Sequence, residues 1–408
     1  MFYIKSKELS DNDFSLPTYT AALPNYSLSK TMKLILVTNI ISPYSIPMFN
    51  YLNGVETLDF KVIFLAETES NRRWKIYKDE INFDYRVLKH FCLFIQSKEM
   101  PIYVNWGLCK ELRKFRPDAI CVCGYHYLAT IEVLFYAKLM NVPITLWAGS
   151  HLLSGFIKNL LTNLYKKMII PRFDSYITYG TAAKDQIVHY GAKPEKIVVG
   201  CNTVDVEWFI KRSEEIKEEE IQEMKKGYPS KNILYVGEFI KRKAVINLIT
   251  AFEKLDMANV GLILVGEGKE KDKYLKYIRE HNIKNVFFEG FAQKEDIVKY
   301  YKSVDVFVLP SFNEVWGLVV NEAMACGLPI LSSTYAGVTR DLVKDRVNGY
   351  SFDPNNVGGL VEKIKFILSN DALRRKMEVS SIEIIKDKTP ENYAQKILAA
   401  VKYGLQKY

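Results

Sequence analysis

Hydrophobic residues are distributed along the chain in two alternating rhythms. Short unbroken apolar runs rich in branched side chains recur at 33–38, 61–65, 119–123, 144–147, 175–179 and 196–200. Helical spacing fills the intervals between them, as at 103–115 and 128–140. Strands apolar on both faces and separated by helices predict a parallel sheet covered on both sides. A charged stretch at 211–226 (KRSEEIKEEEIQEMKK) interrupts this series and reads as a solvated surface helix. The pattern then resumes, with strands expected at 232–236, 261–265, 286–289, 304–309 and 329–332. A last helical segment, 390–405, has no strand to follow and is expected to pack back across the first domain.

The fold class is therefore α/β, with two doubly wound, Rossmann-like parallel-sheet domains facing a cleft. The expected divisions are an extension at 1–31, a first domain at 32–205, a second at 206–388 and a returning helix at 389–408. Ligands of such sheets bind beyond the carboxyl ends of the strands, so two facing domains imply a site between them.

Composition narrows the class. A hydrophobic fraction of 48% with 25% charged residues is ordinary for a globular protein. No uncharged apolar run reaches the roughly 18 residues that span a bilayer. Residues 1–30 lack the apolar segment of a secretory signal, so a cytoplasmic location is expected. The six cysteines include no Cys-x-x-Cys pair, and Cys121 and Cys123 fall on one face of a strand, which points to reduced thiols and no metal.

Charge is uneven beneath the net +9. No Asp or Glu lies between Glu132 and Asp174, whereas Lys138, Lys158, Lys166, Lys167 and Arg172 do. Residues 156–169 within that gap place apolar side chains at 156, 157, 160, 161, 164, 165, 168 and 169. This is an amphipathic helix with lysines on its polar side, compatible with either a core-facing helix or one at a membrane interface. The missing acids favour an anionic membrane surface contacted through 156–172. Arg72-Arg73-Trp74 reads as a surface loop.

Candidate chemistry gathers in the second domain. Gly237, Gly266 and Gly290 each follow a strand, where glycine permits tight turns and close backbone approach to a ligand. Lys241-Arg242-Lys243 follows the first of these turns and is suited to neutralising phosphates. The segment Glu314-Val-Trp-Gly-Leu-Val-Val-Asn-Glu322 combines a loop carboxylate, a helix start at about Gly317 and a second carboxylate two turns inside an apolar helix. Helix-start amides can hold a diphosphate, and a carboxylate can accept hydrogen bonds from two vicinal hydroxyls. An unpaired charge at Glu322 would be costly, and an ion pair with a nearby lysine is its structural alternative.

These residues resemble the retaining glycosyltransferases of family 4 (group 1 glycosyl transferases), which have the GT-B fold. The likeness runs from about Met32 to the C-terminus and is strongest over residues 231–354. Pro310-Ser-x-x-Glu314 with Glu322-Ala-Met-Ala-Cys-Gly327-x-Pro329 is similar to the family's glutamate-x7-glutamate signature. Asn202-Thr-Val-Asp205 resembles its domain-junction motif, and Ser42-Pro43-Tyr44 the acceptor-side loop of one branch.

The resemblance implies a nucleotide-diphosphate sugar as donor, no cofactor and no metal. It assigns Glu322 to ribose hydroxyls and Glu314 to the donor sugar near the reacting carbon. Val315, Trp316, Gly317 and Leu318 would supply amides, Lys243 with Arg242 would steady the leaving diphosphate, and Gly237, Gly290 and Phe291 would border the donor. His126 is the candidate first-domain histidine facing the donor sugar, with His151 second on the acceptor side. The chain departs from the family at Glu238, where arginine is common, and at Ala244, Val315 and Trp316. It also lacks the paired glycines after the first strand.

The function implied is transfer of a sugar to a lipid-linked or other glycan acceptor in cell-surface polysaccharide or glycoconjugate synthesis. The enzyme would be a hexosyltransferase working in the cytoplasm, peripheral on the inner face of the membrane. A transferase with a soluble acceptor and a non-catalytic sugar-nucleotide-binding protein are the alternatives. A nicotinamide-dependent oxidoreductase is disfavoured because strand one is not followed by Gly-x-Gly-x-x-Gly. Nucleic acid is not an expected partner, because the basic residues interleave with an apolar face and not a base-stacking platform.

Overall fold

The computed structural model describes residues 31–69, 72, 74–95, 100–154 and 160–406. Most of the expected N-terminal extension, Arg73, and Lys158 with its neighbours 155–159 lie outside the described residues. Nine strands come first: β1 (Met32–Thr38), β2 (Leu58–Phe64), β3 (Asp84–Val87), β4 (Lys89–Ile95), β5 (Met100–Trp106), β6 (Ala119–Cys123), β7 (Ile144–Ala148), β8 (Ser175–Thr178) and β9 (Ile197–Val199). Six follow: β10 (Lys231–Val236), β11 (Val260–Val265), β12 (Val286–Gly290), β13 (Val306–Leu309), β14 (Ile330–Ser333) and β15 (Gly349–Phe352).

The first sheet is parallel in the order β3-β2-β1-β6-β7-β8-β9, and the second in the order β12-β11-β10-β13-β14-β15. Each sheet carries a core on both faces, so its central strands are apolar throughout: Leu34 to Leu36 and Leu262 to Leu264 are fully buried. Strand order reverses between β1 and β6 in one sheet and between β10 and β13 in the other. Such switch points leave a crevice at the carboxyl ends of the strands. Here the loops after β1, β6, β10 and β13 all contribute to one cleft.

Several elements differ from the sequence expectation. The helix expected at 103–115 begins only at Leu108, because 100–106 is extended and pairs antiparallel with β4 as a hairpin. Gly107, at φ +92°, makes the break between strand and helix. The charged stretch is two helices, Val206–Glu215 and Glu218–Lys225, rather than one solvated helix. Their inner face buries Val206, Phe209, Ile216 and Ile221 in the second core. Strands β3 and β15 are short edge strands whose sequences carry no long apolar run.

Helix Pro390–Leu405 leaves the second domain and lies on the first, burying Tyr393, Ala394, Ile397, Ala400 and Val401. Trp147 Nε1 donates to the Tyr393 hydroxyl at 2.6 Å. A Cβ at Gly200 would stand 2.1 Å from the Tyr393 ring, which explains glycine at that position. The crossing is tied down by Thr203, whose hydroxyl donates to the Lys388 carbonyl. All six cysteines are free thiols, and burial pushes Cys123 up to about 11. Inert, protonated thiols fit that environment.

Candidate active site

The cleft between the two sheets has a volume of about 1320 Å³. Its second-domain wall starts with the turn after β10. Gly237 has φ +150°, and a Cβ on neighbouring Gly266 would sit 1.9 Å from the Gly237 carbonyl oxygen. Two backbones therefore touch at the rim, which only glycine permits. Gly237, Gly266, Gly268 and Phe291 border the cleft, and Gly290, at φ +72°, accepts a 2.6 Å hydrogen bond from the Gly266 amide.

Beyond that turn Lys243 forms an ion pair with Glu314, both side chains about 13% exposed. Burial alone would raise the Glu314 carboxyl, but Lys243 and Arg242, with a smaller effect of His151, outweigh it and hold Glu314 below its ordinary value. Arg242 Nη1 donates to the Asn313 carbonyl at 3.3 Å, and the Phe312 amide donates to the Arg242 carbonyl at 2.8 Å. The loop after β13 is thus laced to the loop after β10. Glu238, the acid standing where family arginine is common, lies 3.7 Å from Arg242. Ala244, where the family has glycine, adopts φ +53°.

Glu322 occupies the helix Leu318–Ala325 with 4% exposure. Tyr301 donates to its Oε2 at 2.8 Å, and the Tyr44 hydroxyl approaches the same carboxylate from the first domain. Burial pushes Glu322 up to about 7, against the lowering effect of both tyrosines and of Lys294. No lysine ion pair holds it among the described residues; phenols take that place. Asn321, the residue before it, accepts from Trp316 Nε1 at 3.0 Å and donates to the Asn202 carbonyl at 3.0 Å. The junction segment 202–205 therefore anchors the helix that carries Glu322.

The structure brings Glu314, Val315, Glu322, Lys243, Arg242, Gly237, Phe291, Pro43, Tyr44 and His126 to this one cleft. Trp316, Gly317 and Leu318 are not among its lining residues. Trp316 is 3% exposed and faces the second core, where it closes on Gly180 of the first domain. Ser42 borders a separate small cavity of about 190 Å³, which Tyr44 and Leu318 also line. His126 packs at a tilt against Tyr127, with ring centroids 4.0 Å apart, and is exposed at the cleft wall. His151 is the histidine joined to the Glu314 loop. Its Nδ1 accepts from the Leu153 amide at 3.3 Å, which leaves Nε2 protonated to donate to the Glu314 carbonyl at 2.8 Å.

Sequence reasoning missed part of the first-domain wall. Glu69, 7% exposed, accepts from Tyr103 at 3.0 Å and Asn39 at 3.3 Å and lies 3.4 Å from Arg72. The Arg72 guanidinium lies over the Trp74 ring, and Trp74 meets Tyr44 edge to face. Only the Arg-Arg-Trp run signalled this, and an exposed loop explains such a run equally well.

With this geometry in view, the sequence has relatives. Residues 216–383 match the model of the glycosyl transferases group 1. The chain carries a group 1 glycosyltransferase domain. The sulfoquinovosyl transferase SQD2 of Arabidopsis thaliana is 26% identical over 294 residues, 69% of this chain and 56% of its own length. An N-acetylgalactosamine-N,N'-diacetylbacillosaminyl-diphospho-undecaprenol 4-alpha-N-acetylgalactosaminyltransferase of Campylobacter jejuni is 25% identical over 226 residues, 54% of this chain and 59% of its own. The chain thus spans less than two thirds of either relative. Among solved structures, Anabaena Alr3699/HepE in complex with UDP superposes with a TM-score of 0.72 at 16% identity, covering 91% of this chain and 100% of that one. That likeness and the two parallel sheets give the chain the GT-B fold.

Proposed function

We propose that the protein is a retaining glycosyltransferase of the family 4 type, moving a hexosyl group from a nucleoside-diphosphate sugar to a lipid-linked glycan. The observation that carries this reading is the meeting of Glu322, Glu314 and Lys243 in one cleft, each at the carboxyl edge of the second sheet. In this reading Glu322 accepts the ribose hydroxyls. Lys243 exchanges Glu314 for the diphosphate and, with Arg242, stabilises negative charge as the glycosidic bond breaks. Glu314, released from Lys243, accepts hydroxyls of the donor sugar. His151 fixes the Glu314 backbone from the acceptor side. Retention follows if the acceptor hydroxyl attacks on the face the diphosphate leaves and a phosphate oxygen takes its proton.

Two relatives support the setting: HepE was solved with UDP, and the Campylobacter relative is named for a diphospho-undecaprenol substrate. An anionic inner membrane surface, contacted through 156–172, fits the described helix Leu160–Ile169, which exposes Leu160, Leu161 and Leu164 beside Lys167. Among the described residues no helix is long and apolar enough to cross a membrane.

A thermal-shift screen over UDP-, GDP- and ADP-sugars tests the donor site, since a ligand bound only by the folded state raises Tm. One donor class should raise Tm in the wild type, and Glu322→Ala and Lys243→Ala should each abolish the shift. A wild-type shift in both variants would remove these residues from the site.

A further inference from the structure

The first domain exposes large apolar side chains on three neighbouring elements. On helix Leu128–Met140 the exposed residues are Leu128, Ile131, Phe135 and Leu139, spaced three or four apart. They form one stripe opposite the buried Ala129, Val133, Tyr136 and Ala137. Phe135 and Leu139 are 70% and 68% exposed. On the β4–β5 hairpin Phe91, Leu93, Val104 and Trp106 are exposed. Phe91 pairs directly with Val104, so these alternating side chains share one face, while Tyr103 turns inward to Glu69. Helix Leu160–Ile169 adds Leu160, Leu161, Leu164 and Met168.

The three elements adjoin. Helix Leu128–Met140 packs on β5, and Tyr165 on the third element donates to the Tyr125 carbonyl at 2.7 Å, just before that helix begins. An apolar face built from three elements exceeds the single scattered hydrophobes of an ordinary surface. Its charge is predominantly positive. Lys89, Lys110, Arg113, Lys114, Lys138 and Lys167 are exposed around it. The nearby acids turn to other work: Glu132 accepts from the Cys109 amide at 3.0 Å, and Glu111 lies 3.9 Å from Lys61 and 4.0 Å from Arg86.

We propose that this whole face, with the hairpin and helix Leu128–Met140 as its insertion elements, docks the protein on an anionic lipid bilayer. Apolar side chains enter the acyl boundary, Trp106 sits at the headgroup level, and the surrounding cations meet lipid phosphates. The arrangement also orients the cleft. Thr162, Tyr165 and Lys166 line it from the same helix that turns Leu160, Leu161 and Leu164 outward. A lipid-borne acceptor then passes from the bilayer into the cleft along one helix. The inference rests on the lipid-linked acceptor reading above and extends it to elements that reading does not use.

The test is co-sedimentation of the full chain with vesicles of phosphatidylcholine alone and of phosphatidylcholine mixed with phosphatidylglycerol. Wild type should pellet with the mixed vesicles only. Phe135→Glu/Leu139→Glu and Leu93→Glu/Trp106→Glu should each lower the partition coefficient about tenfold or more, equivalent to about 1.4 kcal/mol. Val379→Glu, equally exposed in the second domain, should leave it unchanged. Donor-induced thermal shifts, identical in all variants, would establish that each is folded. Loss of binding only on Leu161→Glu/Leu164→Glu would overturn the inference while sparing membrane contact through 156–172. Wild type that never pellets would overturn both membrane readings but not the donor site. A wild-type dimer made monomeric by these substitutions, without vesicle binding, would make the face a self-interface and overturn the proposal.

Discussion

Glu322 shows how a single side chain can be costly to the fold and suited to a ligand. Its carboxyl is raised from 4.5 to about 7 by burial, so the folded state prefers the protonated form. That preference stabilises the protein fully below about pH 4.5 and is lost as pH rises through about 7. Above pH 7 the buried charge costs on the order of 3 kcal/mol. Glu322→Gln should therefore match wild type near pH 5 and be the more stable protein at pH 8, measured by calorimetry, while losing at least about tenfold in nucleotide affinity. A variant less stable than wild type at pH 8 would mean that the charge is compensated by contacts other than its tyrosines. The carboxylate pair itself was legible in the sequence, because an acid within Leu-Val-Val-Asn-Glu-Ala-Met has no solvated explanation. Its partners were not, since Tyr301 and Tyr44 lie 21 and 278 positions away and nothing local in their segments marks them.

At the scale of elements, the sequence was readable where an element is long and buried. The strands of both sheet centres and the helices at 128–140 and 390–405 follow directly from apolar periodicity. The β4–β5 hairpin was not, because its exposed face is apolar too, which erases the polar alternation that announces a half-buried strand. The direction of the Trp316 side chain was illegible for a related reason: spacing puts it in the loop but cannot tell which way a loop side chain turns. The glycine turns were legible as a set, and their geometry yields a sharp expectation. Gly266→Ala places a Cβ 1.9 Å from the Gly237 carbonyl at a left-handed φ. It should lower stability by about 2 kcal/mol or more in denaturant unfolding and displace the turn that borders the cleft. Wild-type stability would require the turn after β10 to be far more pliable than its hydrogen bonds suggest.

For the molecule as a whole, the last helix belongs to the first domain although its sequence follows the second. Tyr393→Ala removes a fully packed ring and the acceptor of the Trp147 bond, a change that costs about 3–5 kcal/mol in a well-packed core. Hydrogen exchange should then speed up in β6, β7 and β8 and leave β10, β11 and β13 protected. Uniform loss across both sheets would instead indicate a single cooperative unit.

That returning helix has a mechanical consequence. The polypeptide leaves the first domain near Asn202 and re-enters it near Lys388, and the two crossings are bonded to one another through Thr203. Residues between them are topologically an insert held by two adjacent tethers instead of one linker. A single tether lets a body swivel about every axis; a side-by-side pair suppresses twist and leaves one easy rotation. Any relative motion of the two domains is then expected to be that one rotation, which would part Tyr44 from Glu322 and His151 from the Glu314 carbonyl.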